Sequence, residues 1–189
     1  MGQCYLTLSG RHIQFIEKQP MFFVGTAGSS DDKVNVSPKG MDSLRVLSPS
    51  RLIWLNVTGS GNETAAHLEH NSRMTLMWCA YEGKSLILRA YGQAKAIYPS
   101  DLEWDTLLAH FNPLPGMRQI FDVSIELVQT SCGMAVPLMD FQQQRDQLNH
   151  WAKEKGAQGI STYWQKKNTS SLDGKGIQTM QQHLKSTAT

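Results

Sequence analysis

Two apolar, strand-like runs only three residues apart constrain this chain more than any other feature. Residues 73–81 ("RMTLMWCAY") and 85–98 ("SLILRAYGQAKAIY") flank "EGK". A linker that short joins antiparallel neighbours, because a parallel crossover needs about a dozen residues or more. The same extended character precedes the pair. Residues 21–27 and 33–38 flank the polar turn "GSSDD" as a hairpin does, and "SLRVL" and "RLIWLNV" follow. Residues 120–129 then place apolar Ile120, Val123, Ile125 and Leu127 among polar neighbours, as a further strand. Helix signals are sparse. Ser9 caps a short segment carrying Ile13, Phe15 and Ile16 that Pro20 stops, and Ser60/Glu63 and Ser100/Glu103 have the spacing of capping boxes. The pattern predicts an antiparallel β-barrel or α+β domain with short flanking helices.

The C-terminal third reads differently. Leu138, Phe141, Leu148 and Trp151 fit one face of a helix over residues 138–155, which Gly156 ends; "NTSSLDGKG" then reads as a mobile loop before a polar last helix. The organisation expected is a barrel domain over residues 1–137 and a helical extension over 138–189 packed on it.

Composition narrows the function. The 189 residues are 40% hydrophobic and 18% charged with net charge +2, too little to argue for nucleic acid, and the densest cationic piece, "WQKKN" at 164–168, reads as solvated surface. Cys4, Cys79 and Cys132 are odd in number and lack zinc spacing, which fits a reducing, cytoplasmic setting. No apolar stretch approaches the roughly 18–20 residues that span a bilayer. No Ser-His-Asp order or carboxylate pair supports hydrolase chemistry.

The stretch "NVTGSGNETAAHLEHN" at 56–71 is the most suggestive motif. A dinucleotide turn needs G-x-G-x-x-G between a strand and a crossover helix. Here Gly59 and Gly61 fit, Thr64 replaces the third glycine, and the next two strands form a hairpin instead of a βαβ unit. A purely structural reading explains Ser60, Gly61 and Glu63 as a capped turn. A phosphate reading explains why small and polar residues run from a strand into a helix start.

Three motifs in fixed order carry a resemblance: "VNVSPKG" at 34–40, "TGSGNETAAHL" at 58–68 and "SCGMAVP" at 131–137. With them, residues 22–98 and 128–137 resemble the pyridoxamine 5'-phosphate oxidase-like flavoproteins, in a branch distinct from the true oxidases. The resemblance implies an FMN-binding split barrel, a mainly β or α+β fold, working as a homodimer with flavin at the subunit interface. It implies an FMN-dependent oxidoreductase; a deazaflavin-dependent reductase and a non-catalytic flavin- or heme-binding module are the alternatives on the same barrel. Residue by residue, Asn62, Glu63 and Thr64 stand where the oxidases have a Ser-Arg-Lys phosphate loop, and Val57 and Thr58 where they have Tyr-Thr. Ser37, Pro38 and Lys39 lie on the strand expected beside the ring, Arg89 matches an arginine after the hairpin, and Cys132 and Gly133 fall close to the flavin. The true oxidases' tryptophan–arginine ending is missing. No protein general base is assigned.

Glu63 departs from the pattern, because an anion stands where a phosphate should sit. The expectation is that Glu63 folds back onto its own turn as a cap, while Lys39, Arg45 or Arg89 supplies the cation. His67 and His70 with Glu63 have metal-like spacing, but no third strong ligand is near, and solvated helix histidines are the simpler reading. Cys132 is expected as a small buried pocket residue. Trp54, Trp78, Tyr81 and Tyr91 are expected in the core or at a dimer contact.

Overall fold

The computed structural model describes residues 2–187; Met1 and residues 188–189, the ends of the two expected domains, lie outside the described residues. Eight antiparallel strands form one curved sheet. They are β1 (Gln3–Tyr5), β2 (Phe22–Thr26), β3 (Asn35–Lys39), β4 (Leu44–Ser48), β5 (Arg51–Val57), β6 (Arg73–Cys79), β7 (Ile87–Ile97) and β8 (Met117–Ser131). The order across the sheet is β3-β2-β6-β7-β8-β5-β4, with β1 added on β8. Strands β3 and β4 therefore end the path at opposite edges, and the barrel is split between them.

The hairpin signals are met. β2 pairs with β3 from Phe22↔Lys39 to Thr26↔Asn35, and β6 pairs with β7 from Arg73↔Gln93 to Cys79↔Ile87. The alternation in β2 buries Phe22, Val24 and Thr26 and turns Phe23 and Gly25 outward. The core gathers Trp54, Trp78, Phe22, Phe121, Leu52, Leu76 and Leu88, all nearly solvent-free. Trp54 stacks on Phe121 at 4.7 Å between ring centroids and meets Phe22 edge-on at 6.0 Å. In the long β7–β8 pairing the register shifts between Tyr91 and Gly92, where a Cβ would lie 1.9 Å from the Ser124 carbonyl oxygen. Only glycine permits that close approach.

The helices are α1 (Gly10–Lys18), α2 (Glu63–Leu68), α3 (Trp104–Leu108), α4 (Gln147–Lys167) and α5 (Gln178–Ser186). Ser9 caps α1 as expected, its hydroxyl accepting from the His12 N–H at 3.3 Å. The other two capping boxes do not form. The caps of α2 and α3 are Asn62 and Glu103, neither with a side-chain cap bond, and Glu103 instead pairs with Lys95 at 3.0 Å.

The C-terminal third is the largest correction. Residues 138–146 are not helical; Leu138 and Phe141 are exposed, so their spacing reflects no buried face. That segment is held to the barrel by Gln144, whose amide donates to the Pro20 carbonyl at 2.8 Å and accepts from the Met41 N–H at 3.2 Å. Gly156, at φ 63° and ψ 174°, ends the first helical run of α4 as expected, and a second run follows it to Lys167. The segment 168–176, expected to be mobile, is tied at both ends. The Ser171 N–H donates to Lys175 O, the Ile177 N–H donates to Thr169 O, Lys33 pairs with Asp173 at 2.6 Å, and Lys175 pairs with Asp32. The last helix is not polar all round, since it buries Met180 and Leu184 together with His183. Among the described residues, no helix is long and apolar enough to cross a membrane.

Candidate functional site

The split in the barrel opens a polar cleft of about 730 Å³ between β3, the end of β5, the turn before α2, the start of β8 and the end of α4. Its position follows from local sequence. Strand β3 alternates, so Asn35, Ser37 and Lys39 face inward while Val36 and Pro38 face out. Across the gap, Asn56 and Val57 end β5, and "GSGN" turns the chain into α2.

Arg118 dominates the cleft wall, and the sequence reading missed it. Strand β8 begins at Met117, not Ile120, which brings Arg118 and Gln119 into the sheet, both buried. The guanidinium donates to the Gln119 side-chain oxygen at 2.6 Å, to the Gly61 carbonyl at 3.2 Å and to the Asn168 side chain. Gln119 in turn donates to Asn62 at 2.8 Å, and Asn62 and Asn168 bond across the turn to Asn168 O and Gly59 O, each at 3.3 Å. Every partner of Arg118 is neutral. Among the described residues no carboxylate pairs with it, nor with Lys39, Lys166 or Lys167, which also line the cleft.

That arrangement is electrostatically costly without an anion. Burial pulls the Arg118 guanidinium down to about 10. Burial, reinforced by the nearby Arg118 charge, lowers the Lys39 amine to about 8, and the amine rests 4.8 Å from the Trp54 ring centroid. Two cations lowered by burial around one cleft, the lysine also by the arginine's charge, form a site that an anion stabilises.

Among the described residues, Glu63 is the one acid lining this cleft. It does not fold back onto its own turn. Its carboxylate accepts from the Leu172 N–H at 3.0 and 3.1 Å, which fastens the segment 168–176 over the cleft rim. Glu63→Ala should release that segment: limited proteolysis should cut between residues 169 and 176 faster than in the wild type, with the far-ultraviolet circular dichroism unchanged. Equal cleavage rates would show that the Lys33–Asp173 and Lys175–Asp32 pairs hold it unaided.

The structure brings together Ser37, Lys39, Val57, Asn62, Glu63 and Thr64 of the expected set. The Asn62 side chain is consumed by Gln119 and Asn168, whereas the Thr64 hydroxyl only accepts a 3.4 Å bond from Asn35 and keeps its proton to donate. Helix α2 has six residues, so an anion here rests on side-chain cations more than on a helix dipole. Thr58 lies behind the wall, donating to Gly116 O at 2.7 Å and accepting from the Trp164 indole at 2.8 Å. Arg45 does not supply the cation. It forks onto Asp42 at 2.7 and 2.9 Å and lies over Phe111. Arg89 donates to Ser131 at 3.1 Å and stands off this cleft with Cys132 and Gly133. Cys132 is exposed, not buried, and backbone N–H groups led by that of Met134 hold its thiol below the usual value. Gly133 is the buried member, at φ 65° with the Leu86 backbone 2.9 Å from where a Cβ would stand.

His67 is buried, not solvated, with Nδ1 3.0 Å from the Thr26 hydroxyl, and no three His, Cys, Asp or Glu among the described residues group as metal ligands. Trp54 and Trp78 are core, as expected, and Tyr81 and Tyr91 are half-buried. "WQKKN" is not plain surface: Trp164 bonds Thr58, Lys166 and Lys167 line the cleft, and Asn168 is buried. The available signal for Arg118 was two consecutive long polar residues opening an apolar strand.

Comparison with known proteins agrees with this architecture. Residues 8–132 match the family described as pyridoxamine 5'-phosphate oxidase. A pyridoxamine 5'-phosphate oxidase family protein, ustO of Aspergillus flavus, is 36% identical over 140 residues, covering 72% of this chain; the chain spans 56% of that relative's length. Among solved structures, a variant of HupZ from Group A Streptococcus superposes with a TM-score of 0.53 at 16% identity, over 65% of this chain and 98% of that one. A Lactobacillus delbrueckii protein named for pyridoxamine 5'-phosphate oxidase gives a TM-score of 0.52 at 19% identity, over 66% and 94%. At these identities the structural likeness shows the fold, an antiparallel split barrel.

Proposed function

We propose that this chain, which belongs to the pyridoxamine 5'-phosphate oxidase family, binds FMN non-covalently in the Arg118–Lys39 cleft and serves as an oxidoreductase. The observation that carries the reading is the buried Arg118 guanidinium with only neutral partners, beside a second unpaired cation. A phosphate dianion is the ligand such a wall lacks. Arg118, with Lys166, Lys167 and the Thr64 hydroxyl, would hold it, and Asn35, Ser37 and Asn56 offer polar groups to a hydroxylated chain. Flavin, when bound, supplies hydride and electron transfer, while the protein supplies position and electrostatics. Lys39 keeps a positive charge in the cleft at neutral pH, which favours added negative charge on a bound ring.

The reading includes a homodimer. The outer sheet face carries Val36 and Leu127, 65% and 37% exposed, and between them the half-buried Phe23, Met77 and Tyr91. Cross-strand pairing makes these contiguous: Gly25↔Val36, Phe23↔Met77, Met77↔Arg89 and Tyr91↔Leu127. A second copy covering that face would also bury Arg89, which explains an arginine held there away from the cleft.

The test is cofactor identification. The purified native protein should be yellow and should release one FMN per chain on heating, identified by mass, from a particle of twice the chain mass by light scattering. A deazaflavin or heme would be told apart by mass and absorption. A colourless protein that takes up no FMN on reconstitution would sink the assignment.

A further inference from the structure

A second cavity, of about 750 Å³, shares Lys39 with the polar cleft and has a different character. Met21, Met41, Phe141, Leu148 and Trp151 supply apolar walls, and Lys39 and Arg145 are its charged residues; among the described residues no carboxylate lines it. The walls are fixed. Gln144 staples the segment 138–146 to Pro20 and Met41, and Trp151 is set edge-on by Tyr163 at 5.1 Å and 79°. Phe141 stays 52% exposed, apolar surface that the chain itself does not cover.

We propose that this cavity is the substrate pocket and takes a flat, mainly apolar molecule bearing one carboxylate, which Lys39 and Arg145 recognise. Two features commit the pocket to that occupant. Its volume and aromatic lining suit a small-molecule ring system. Its only charges among the described residues are two cations without carboxylate partners, the half-buried Lys39 and the exposed Arg145, so a carboxylate gains ion pairs here that a neutral ligand does not. Because Lys39 lines both cavities, the ligand's acid end would lie next to whatever occupies the cleft. That the molecule is a substrate rests on the flavoprotein reading; that it binds here does not.

The experiment titrates 2-naphthoate, and its neutral analogue 2-naphthalenemethanol, into the protein as purified, with tryptophan fluorescence and calorimetry as readouts and flavin content measured on the same sample. Naphthoate should bind about tenfold tighter than the alcohol. Arg145→Gln should remove most of that preference, and Trp151→Ala should weaken both ligands several-fold while Phe141→Ser, at an exposed position, gives a folded second check. Equal affinity for acid and alcohol overturns the proposal, as does naphthoate binding that ignores Trp151→Ala and Phe141→Ser. Exclusion of naphthoate on self-association overturns it too, since a second copy of the chain then fills the pocket. A sample without flavin that still discriminates the two ligands keeps the pocket and overturns its role as a substrate site.

Discussion

Arg118→Met should lower FMN affinity about 100-fold, measured by quenching of flavin fluorescence on titration, while the sheet stays folded. Arg118 Nη2 makes none of the three bonds above; a charge-assisted hydrogen bond is worth about 1.5–3 kcal/mol, and each tenfold in affinity about 1.4 kcal/mol, so losing that contact accounts for up to about two decades. Folding should suffer much less than binding. Removing the guanidinium leaves Asn168, Gly61 and Gln119 short of a donor, but it also relieves a buried charge that has no acid beside it. The variant has a second signature. Without the Arg118 charge, the Lys39 amine should titrate above its present value of about 8. In the wild type the sign runs as linkage requires: a bound anion favours charged Lys39, so FMN affinity should fall as pH rises through about 8. Unliganded folding stability should move the other way and rise above that pH, because the unfolded chain there holds more protons on this lysine. Affinity that ignores both Arg118→Met and pH would remove the phosphate from this cleft.

Trp54→Ala should cost about 3–5 kcal/mol of folding stability, read from urea unfolding followed by circular dichroism. Trp54 is 1% exposed at the centre of β5, stacked on Phe121 and edge-on to Phe22, so its loss opens a cavity that neighbouring aromatics are too rigidly packed to fill. The ring also carries the Lys39 amine. Flavin affinity should therefore drop even at denaturant concentrations where the variant remains folded, because the lysine loses the surface that positions it. A cost below about 1 kcal/mol would mean the core collapses around the gap.

The barrel was readable because its information is local. "EGK" forces β6 and β7 together, "GSSDD" does the same for β2 and β3, and alternating apolar residues choose the buried face of each strand. Two of the three ordered motifs, at 34–40 and 58–68, located the cleft, while the third, at 131–137, lies off it. The C-terminal third was misread because hydrophobic spacing is evidence for a helix only when one face is buried. Leu138 and Phe141 have no such face, whereas the stop at Gly156 was legible, because its positive φ interrupts the helix there.

What only the tertiary structure decided is which charges meet. Arg118 and Lys39 stand 79 positions apart in sequence but face one cleft, because the sheet closes far enough to bring β8 and the β3 edge around the same turn. Glu63, placed by sequence where it should repel a phosphate, is turned by the fold toward Leu172, 109 positions away. Sequence thus determined the strands, their antiparallel pairing and the place of the cleft, since backbone propensity and hydrophobic alternation act over a few residues. The sign of the cleft, its buried arginine and its second, apolar chamber were set by long-range closure, because electrostatics and burial depend on distances that no short stretch of chain specifies.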